Sequence, residues 1–195
     1  MQQCNWPEGA FSLLFGEGRT IGQALVSHPV IKAVGFTGSR SGGRALFDLA
    51  SKRPDPIPVF AEMSSVNPVF VLSAMKGEEM DQFAEGLAGS ANLGVGQFCT
   101  NPGIVFHPAG EWGENFTEVY AEKMKVTKPC PMLHQGIKDA YETGLNGLSS
   151  CNGIDVVYRS TINENDLGSA AGPAVLRTTA TSFLADSKKS FAVFQ

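Results

Sequence analysis

The chain has 195 residues, enough for one large domain or two small ones, and 43% hydrophobic with 17% charged residues supply a packed core rather than a disordered tail. A net charge of −4 gives no electrostatic reason to bind nucleic acid or an anionic membrane, and no apolar run approaches the ~20 residues that span a bilayer. Four cysteines without a C-x-x-C pair and three scattered histidines argue against a zinc site or a disulfide framework; residues 1–6 show no secretion signal, so a cytoplasmic setting with reduced thiols is expected.

In chain order, residues 11–15 read as a short buried strand running into a turn with Gly16, Gly18 and Gly22. Thr20 is placed to cap a helix through residues 23–26. These glycines do not follow G-x-G-x-x-G, so a nucleotide cradle and an ordinary strand-to-helix turn both fit. His28-Pro29 makes a break, residues 31–36 read as the next strand, and Thr37-Gly38-Ser39 is its exit turn. A helix follows over 44–53, with Ala45, Leu46, Leu49 and Ala50 on one face. Hydroxyls and free N–H groups at its start suit a phosphate, while Ser39 serves equally as a simple cap.

Pro54, Pro56 and Pro58 stop that helix. Residues 59–61 and 68–72 read as buried parallel strands. The spacing of Met80, Phe83, Ala84, Leu87 and Ala88 predicts a helix over 77–92, with Glu78 and Glu79 favouring its N-terminal end. Residues 103–107 read as a strand, and 115–126 as an amphipathic helix with Phe116, Val119, Tyr120 and Met124 inward. Residues 127–132 read as a linker, 137–148 as a helix, 154–158, 174–177 and 182–185 as strands, and 163–172 as a turn-rich connection. The class is α/β, mostly parallel strands alternating with helices.

Chemistry concentrates where residues 94–103 place Cys99 among Gly94, Gly96 and Gly103. A thiol on such a turn can present its sulfur and its own backbone N–H to one carbonyl, joining a nucleophile to an oxyanion donor. A lone cysteine is ordinarily a small buried hydrophobe, so this residue type alone does not decide. Upstream, Glu62 closes an apolar run, where burying a carboxylate without a partner or a purpose is costly.

With residues 34–39, the stretch around Glu62, and Gly96-Gln97-Phe98-Cys99 in hand, the chain resembles the aldehyde dehydrogenase superfamily from about residue 11 to about residue 186. The branch it is most similar to includes NADP-dependent fatty-aldehyde and 2-oxoglutarate-semialdehyde dehydrogenases. It fits that branch that Ser64-Ser65-Val66 follow Met63 where the family usually has Gly-Gly-Lys. The resemblance implies that residues 1–62 are the C-terminal half of a Rossmann-like nucleotide-binding domain and 63–195 the N-terminal portion of an α/β catalytic domain, with the active site in the cleft between them. It implies oxidation of a small-molecule aldehyde to a carboxylic acid with NADP or NAD, Cys99 as nucleophile and Glu62 as base for thioester hydrolysis. A free thiol, with a pKa of ~8.5, is already partly ionised near neutrality, and a carboxyl screened from bulk water rises toward the pH at which it must act as a base.

For the cofactor the resemblance carries over Thr37, Gly38 and Ser39 beside the dinucleotide, Gly22 on the adenine side, and the Met63 main chain near the nicotinamide carboxamide. It sets Arg19 toward a 2′-phosphate, against the alternative of a solvated surface charge. Full-length family members are homo-oligomers, and they carry an oxyanion-hole asparagine, an adenosine-site lysine, a nicotinamide-site glutamate and an oligomerisation strand that have no match here. The chain is therefore read as an internal fragment. Two alternatives stand beside the dehydrogenase: a non-catalytic remnant, and a cofactor-free thiol esterase using Cys99, Glu62 and water.

Overall fold

A strand, a Ser-capped helix and a second strand form the frame of the first compact unit, Met1–Ser64; the second is Ser65–Gln195. The computed structural model describes residues 6–72, 75–163 and 168–185. Cys4, positions 164–167 of the expected turn-rich connection and the tail from residue 186 lie outside the described residues.

In the first unit, helix α1 (Gly18–Ser27) precedes strand β1 (Val34–Thr37), helix α2 (Arg40–Ser51) and strand β2 (Val59–Glu62). β1 and β2 pair in parallel, Val34 against Val59 through Thr37 against Glu62, and α2 forms the crossover. α2 starts at Arg40 because the Ser39 side chain accepts a hydrogen bond from Gly42 N at 3.2 Å. The core is small and centres on Val26 and Ala50. Arg53 ties the end of α1 to the following loop, donating from Nη1 to the carbonyls of Val26 at 2.9 Å and Ile31 at 3.1 Å.

Two expectations fail in this unit. Residues 11–15 are irregular and exposed, Phe15 at 87%. Apolar character alone does not make a strand; a ladder partner must take its N–H and C=O groups, and none does so among the described residues. Thr20 is not the cap of α1. Glu17 holds that position, and the Thr20 hydroxyl donates back to its carboxylate at 2.9 Å.

The second unit opens with β3 (Val69–Phe70), α3 (Glu78–Asn92) and β4 (Val105–Phe106), the two strands parallel. Helix α4 (Glu111–Lys125) packs on α3. Val71, Met80, Ala84, Leu87 and Phe116 make one buried cluster, and Ala88, Met124 and Val175 a second. Strand β5 (Cys130–Pro131), helix α5 (Gln135–Ser149), β6 (Ile154–Arg159), β7 (Ala170–Ala171), β8 (Ala174–Thr178) and helix α6 (Ala180–Ala185) complete it. β5 pairs antiparallel with β7, and β6 antiparallel with β8 with an irregularity between Val156 and Tyr158.

The class is α/β, as expected, with parallel pairs toward the N-terminus and antiparallel pairs after them. The expected fully buried strands at 59–61 and 68–72 are covered on one face only: Phe60, Phe70 and Leu72 are exposed. The segment 127–132 is not merely a linker, since Cys130 and Pro131 form an edge pair in which proline's missing N–H does no harm. Residues 182–185 are helical, not extended. Thr179 starts the turn by accepting from Ser182 N at its hydroxyl, 3.1 Å, and from Phe183 N at its carbonyl, 2.9 Å. No described helix is long and apolar enough to cross a membrane, and among the described residues no group of three metal-ligating side chains is present.

Candidate active site

Helix α3 ends at Asn92 and the chain turns tightly into the Cys99 stretch. Gly94, Val95 and Gly96 take φ values of 58°, 59° and 73°, all left-handed. The glycines do so freely, whereas Val95 is a β-branched residue held where its Cβ opposes the conformation. Consecutive turn bonds keep it there: Val95 N donates to Asn92 O, Gly96 N to Leu93 O and Gln97 N to Gly94 O, at 3.0 to 3.2 Å. The Asn101 side chain donates to Ala91 O at 2.7 Å and moors the far side of the turn to α3.

Cys99 is exposed and carries a free thiol. Both peptide planes flanking it are fixed. The Phe98 carbonyl accepts from Asn101 N at 3.1 Å. The Cys99 carbonyl accepts from Ser65 Oγ at 2.5 Å and from Asn67 Nδ2 at 2.7 Å. Among the described residues the Cys99 N–H has no hydrogen-bond partner, so it is available beside the sulfur. Cys130 is exposed on β5 and Cys151 half-buried after α5, neither on a comparable turn.

In the first unit Glu62 closes β2 opposite Thr37 on β1, and Gly38 N donates to the Glu62 carbonyl at 3.1 Å. Neighbours in register face the same way, so Thr37 and Glu62 share the exposed face. The expectation of a screened Glu62 carboxylate is not met in this chain: the alternation half-buries Val59 and Ala61 and turns Phe60 and Glu62 outward. Met63, half-buried, lies against α2 where Gly43 has no side chain; a Cβ there would meet its Cγ and Sδ at 2.6 Å.

Thr37, Gly38, Ser39, Glu62 and Met63 therefore converge at the carboxyl end of the parallel pair, next to the N-terminus of α2. Because the Ser39 hydroxyl accepts from Gly42 N, its proton is left for Ser41 Oγ, 3.1 Å away, or for an incoming anion. A helix N-terminus at the carboxyl end of a parallel strand suits the pyrophosphate of a dinucleotide. Gly22 and Arg19 sit apart from this group on α1. Gly22 faces α2, where a Cβ would lie 3.7 Å from Leu46 Cδ2, and Arg19 is exposed.

A cleft of about 1530 Å³ lies in the second unit. Gly94 to Gln97 and Asn101 to Gly103 form one wall, but Cys99 does not line it. Phe116 and Met124, which do, are core side chains. The cleft is thus bounded partly by core side chains, and the Cys99 thiol does not open into it.

The sequence reading missed Ser65, Asn67 and Asn101. The dipeptides Asn67-Pro68 and Asn101-Pro102 were the signal for two of them, since Asn-Pro marks a turn whose side chain bonds nearby backbone.

The sequence profile described as the aldehyde dehydrogenase family matches residues 1–138. The chain belongs to the aldehyde dehydrogenase family. It is 46% identical over 188 residues to the alpha-ketoglutaric semialdehyde dehydrogenase 2 of Azospirillum brasilense, across 96% of this chain and 35% of that protein. With the alpha-ketoglutaric semialdehyde dehydrogenase of Acinetobacter baylyi it shares 40% identity over 151 residues, 77% of this chain and 28% of that one. An NAD-dependent benzaldehyde dehydrogenase from Corynebacterium glutamicum superposes with a TM-score of 0.76 at 25% identity, over 94% of this chain and 40% of that one. This aldehyde dehydrogenase chain thus spans about a third of the length of the relatives it matches.

Proposed function

We propose that this chain carries the nucleophile and the base of an NAD(P)-dependent aldehyde oxidation, Cys99 and Glu62, within a longer catalytic framework. The observation that carries the reading is the free, exposed Cys99 thiol on a turn whose flanking peptide planes are both pinned, beside an N–H without a hydrogen-bond partner among the described residues. Residues 1–62 would contribute to the nucleotide side and 63–195 to the catalytic side. Thr37, Gly38 and Ser39 would face the pyrophosphate, the Met63 main chain the nicotinamide, and Gly22 and Arg19 the adenosine. The likeness to semialdehyde dehydrogenases over nearly the whole chain favours an oxo-acid semialdehyde as substrate.

The Cys99 thiolate attacks the aldehyde carbon and forms a C–S bond, and the developing alkoxide is held by the Cys99 N–H. Nicotinamide, when bound, supplies the two-electron acceptor that converts this adduct to a thioester. Glu62 takes a proton from water, the resulting hydroxide adds to the thioester carbon, the C–S bond breaks, and carboxylic acid and thiolate are released. The exposed position of Glu62 leaves it within reach of water.

The test is nicotinamide reduction at 340 nm with 2-oxoglutarate semialdehyde or a medium-chain aldehyde, NAD+ and NADP+ in turn, and Cys99→Ser as control. Reduction that disappears in Cys99→Ser supports the dehydrogenase. Reduction that survives it refutes Cys99 as nucleophile, and none from folded protein favours the non-catalytic reading of this chain.

A further inference from the structure

We propose that Asn67 is a positioning residue for the nucleophile: its side-chain amide clamps the Cys99 turn so that the sulfur and the Cys99 N–H converge on one carbonyl. The inference rests on Cys99 being the nucleophile. Asn67 Nδ2 donates to the Cys99 carbonyl at 2.7 Å and to the Asn101 carbonyl at 2.9 Å, so one amide group spans the segment 99–101. Ser65 Oγ reaches the same Cys99 carbonyl at 2.5 Å and lies 3.2 Å from Asn67 Nδ2.

Backbone conformation points the same way. Asn67 sits at φ 47°, the left-handed region that asparagine tolerates better than other side chains carrying a Cβ. Next to it the two stretches meet directly, Gly103 N donating to Val66 O at 2.7 Å. The peptide before Cys99 is held by Asn101 N, and Asn101 is itself held by Asn67. Asn67 therefore governs both torsions of Cys99, although it touches neither the thiol nor any reacting atom.

Such a clamp matters for a reaction that builds an oxyanion and not for one that does not. Acetyl transfer from p-nitrophenyl acetate to Cys99 forms a C–S bond, breaks the ester C–O bond, releases p-nitrophenolate and passes through a tetrahedral oxyanion. Alkylation by iodoacetamide displaces iodide at carbon and builds none. Each reaction is read by mass spectrometry at Cys99, with Cys130 and Cys151 in the same molecule as references.

In Asn67→Gly, which keeps the left-handed backbone, and in Asn67→Asp, which keeps the size but loses both donors, Cys99 acetylation falls ~10-fold or more, while alkylation at Cys99, Cys130 and Cys151 stays within about twofold. Ser65→Ala shows a smaller selective loss and serves as the test should neither Asn67 variant fold. Equal acetylation in variant and unsubstituted chain overturns the clamp alone. A parallel drop in alkylation also overturns it, because the turn would then have been loosened generally. Absence of Cys99 acetylation in the unsubstituted chain overturns the nucleophile itself.

Discussion

Replacing Phe116 with alanine removes the ring on which the second unit's core is assembled. Phe116 is 2% exposed and meets four aromatic neighbours: Trp112 stacked at 5.5 Å and 10°, His107 edge-on at 5.5 Å, Phe83 at 6.0 Å and Tyr120 at 6.2 Å. Deleting a buried phenylalanine costs about 3–5 kcal/mol from lost transfer energy and the cavity left behind. Each well-oriented aromatic pair is worth about 0.5–1.5 kcal/mol beyond buried area, and such contributions overlap when they share one ring. The expected loss is therefore ~4 kcal/mol, a large part of the 5–15 kcal/mol that holds an ordinary domain together. The assay is urea unfolding followed by tryptophan emission. Trp112 lies against the deleted ring, while Trp6, the chain's other tryptophan, is already exposed in the first unit. Phe116→Leu, which keeps much of the volume, must cost less than Phe116→Ala. A loss below ~1.5 kcal/mol for alanine, or leucine and alanine equally costly, would show that α3 and α4 are not held together through this ring.

Arg53→Met removes the guanidinium from the Val26 and Ile31 carbonyls and costs the first unit ~1.5–3 kcal/mol, the range for hydrogen bonds to a charged donor; amide exchange over 28–31 accelerates while that of the second unit does not, and unchanged exchange refutes the clamp. Gly43→Ala pushes the Met63 side chain aside at a cost of about 1–3 kcal/mol. Nucleotide titration then shows weaker NAD(P) binding with unaltered Cys99 alkylation, because the displaced side chain shifts the Met63 main chain, whereas unaltered binding shows that the Met63 side chain plays no part in holding that main chain. At high pH, burial pushes the Tyr120 phenol from 10.0 up to about 12, and the hydrogen bond to Asp81, with Glu85 beside it, raises Lys123. Both folded values lie above the unfolded ones, so this stability is intact below pH 10 and is lost as pH rises toward 12. The Tyr120 part amounts to ~2.7 kcal/mol for a rise from 10.0 to about 12, and Tyr120→Phe flattens the alkaline fall in unfolding midpoint by that part; identical slopes in the two proteins would exclude it.

The amphipathic helices were legible because their information is local. Met80, Ala84, Leu87 and Ala88 recur at helical spacing, and the helix they predict is the one observed, within a residue at its start. Where the outcome depends on distant chain, the reading failed. α4 begins at Glu111, four residues before its apolar stripe suggests, and the residue stabilising that early turn is Trp112, whose indole donates to Met75 O at 2.7 Å, 37 positions away. Residues 11–15 and 182–185 looked like strands because apolar runs resemble strands. One lacks a ladder partner among the described residues and the other is taken by the Thr179 turn. The Thr179 cap was readable in principle, since a hydroxyl residue directly ahead of a short segment is a helix-start signal.

The candidate site divides along the same line. Cys99 and Glu62 are legible as residue types in a motif; the glycines leave the backbone free, and Gly94 and Gly96 use that freedom at positive φ, whereas the left-handed Val95 between them was not legible. What the motif does not contain is the hold on that turn. The donors to the Cys99 carbonyl come from Ser65 and Asn67, 34 and 32 residues upstream. In a spacing-based reading those residues belong to the Glu62 stretch, so they look like an appendage of the proposed base, yet their hydrogen bonds go to the Cys99 carbonyl. The stretch after Glu62 thus has two tasks: it carries the chain away from β2, and it returns two side chains to the Cys99 carbonyl. Substitution there is expected to slow acyl chemistry while leaving Cys99 and Glu62 in place, which is why the selective loss expected of Asn67→Gly separates a turn that merely carries a cysteine from one built to use it.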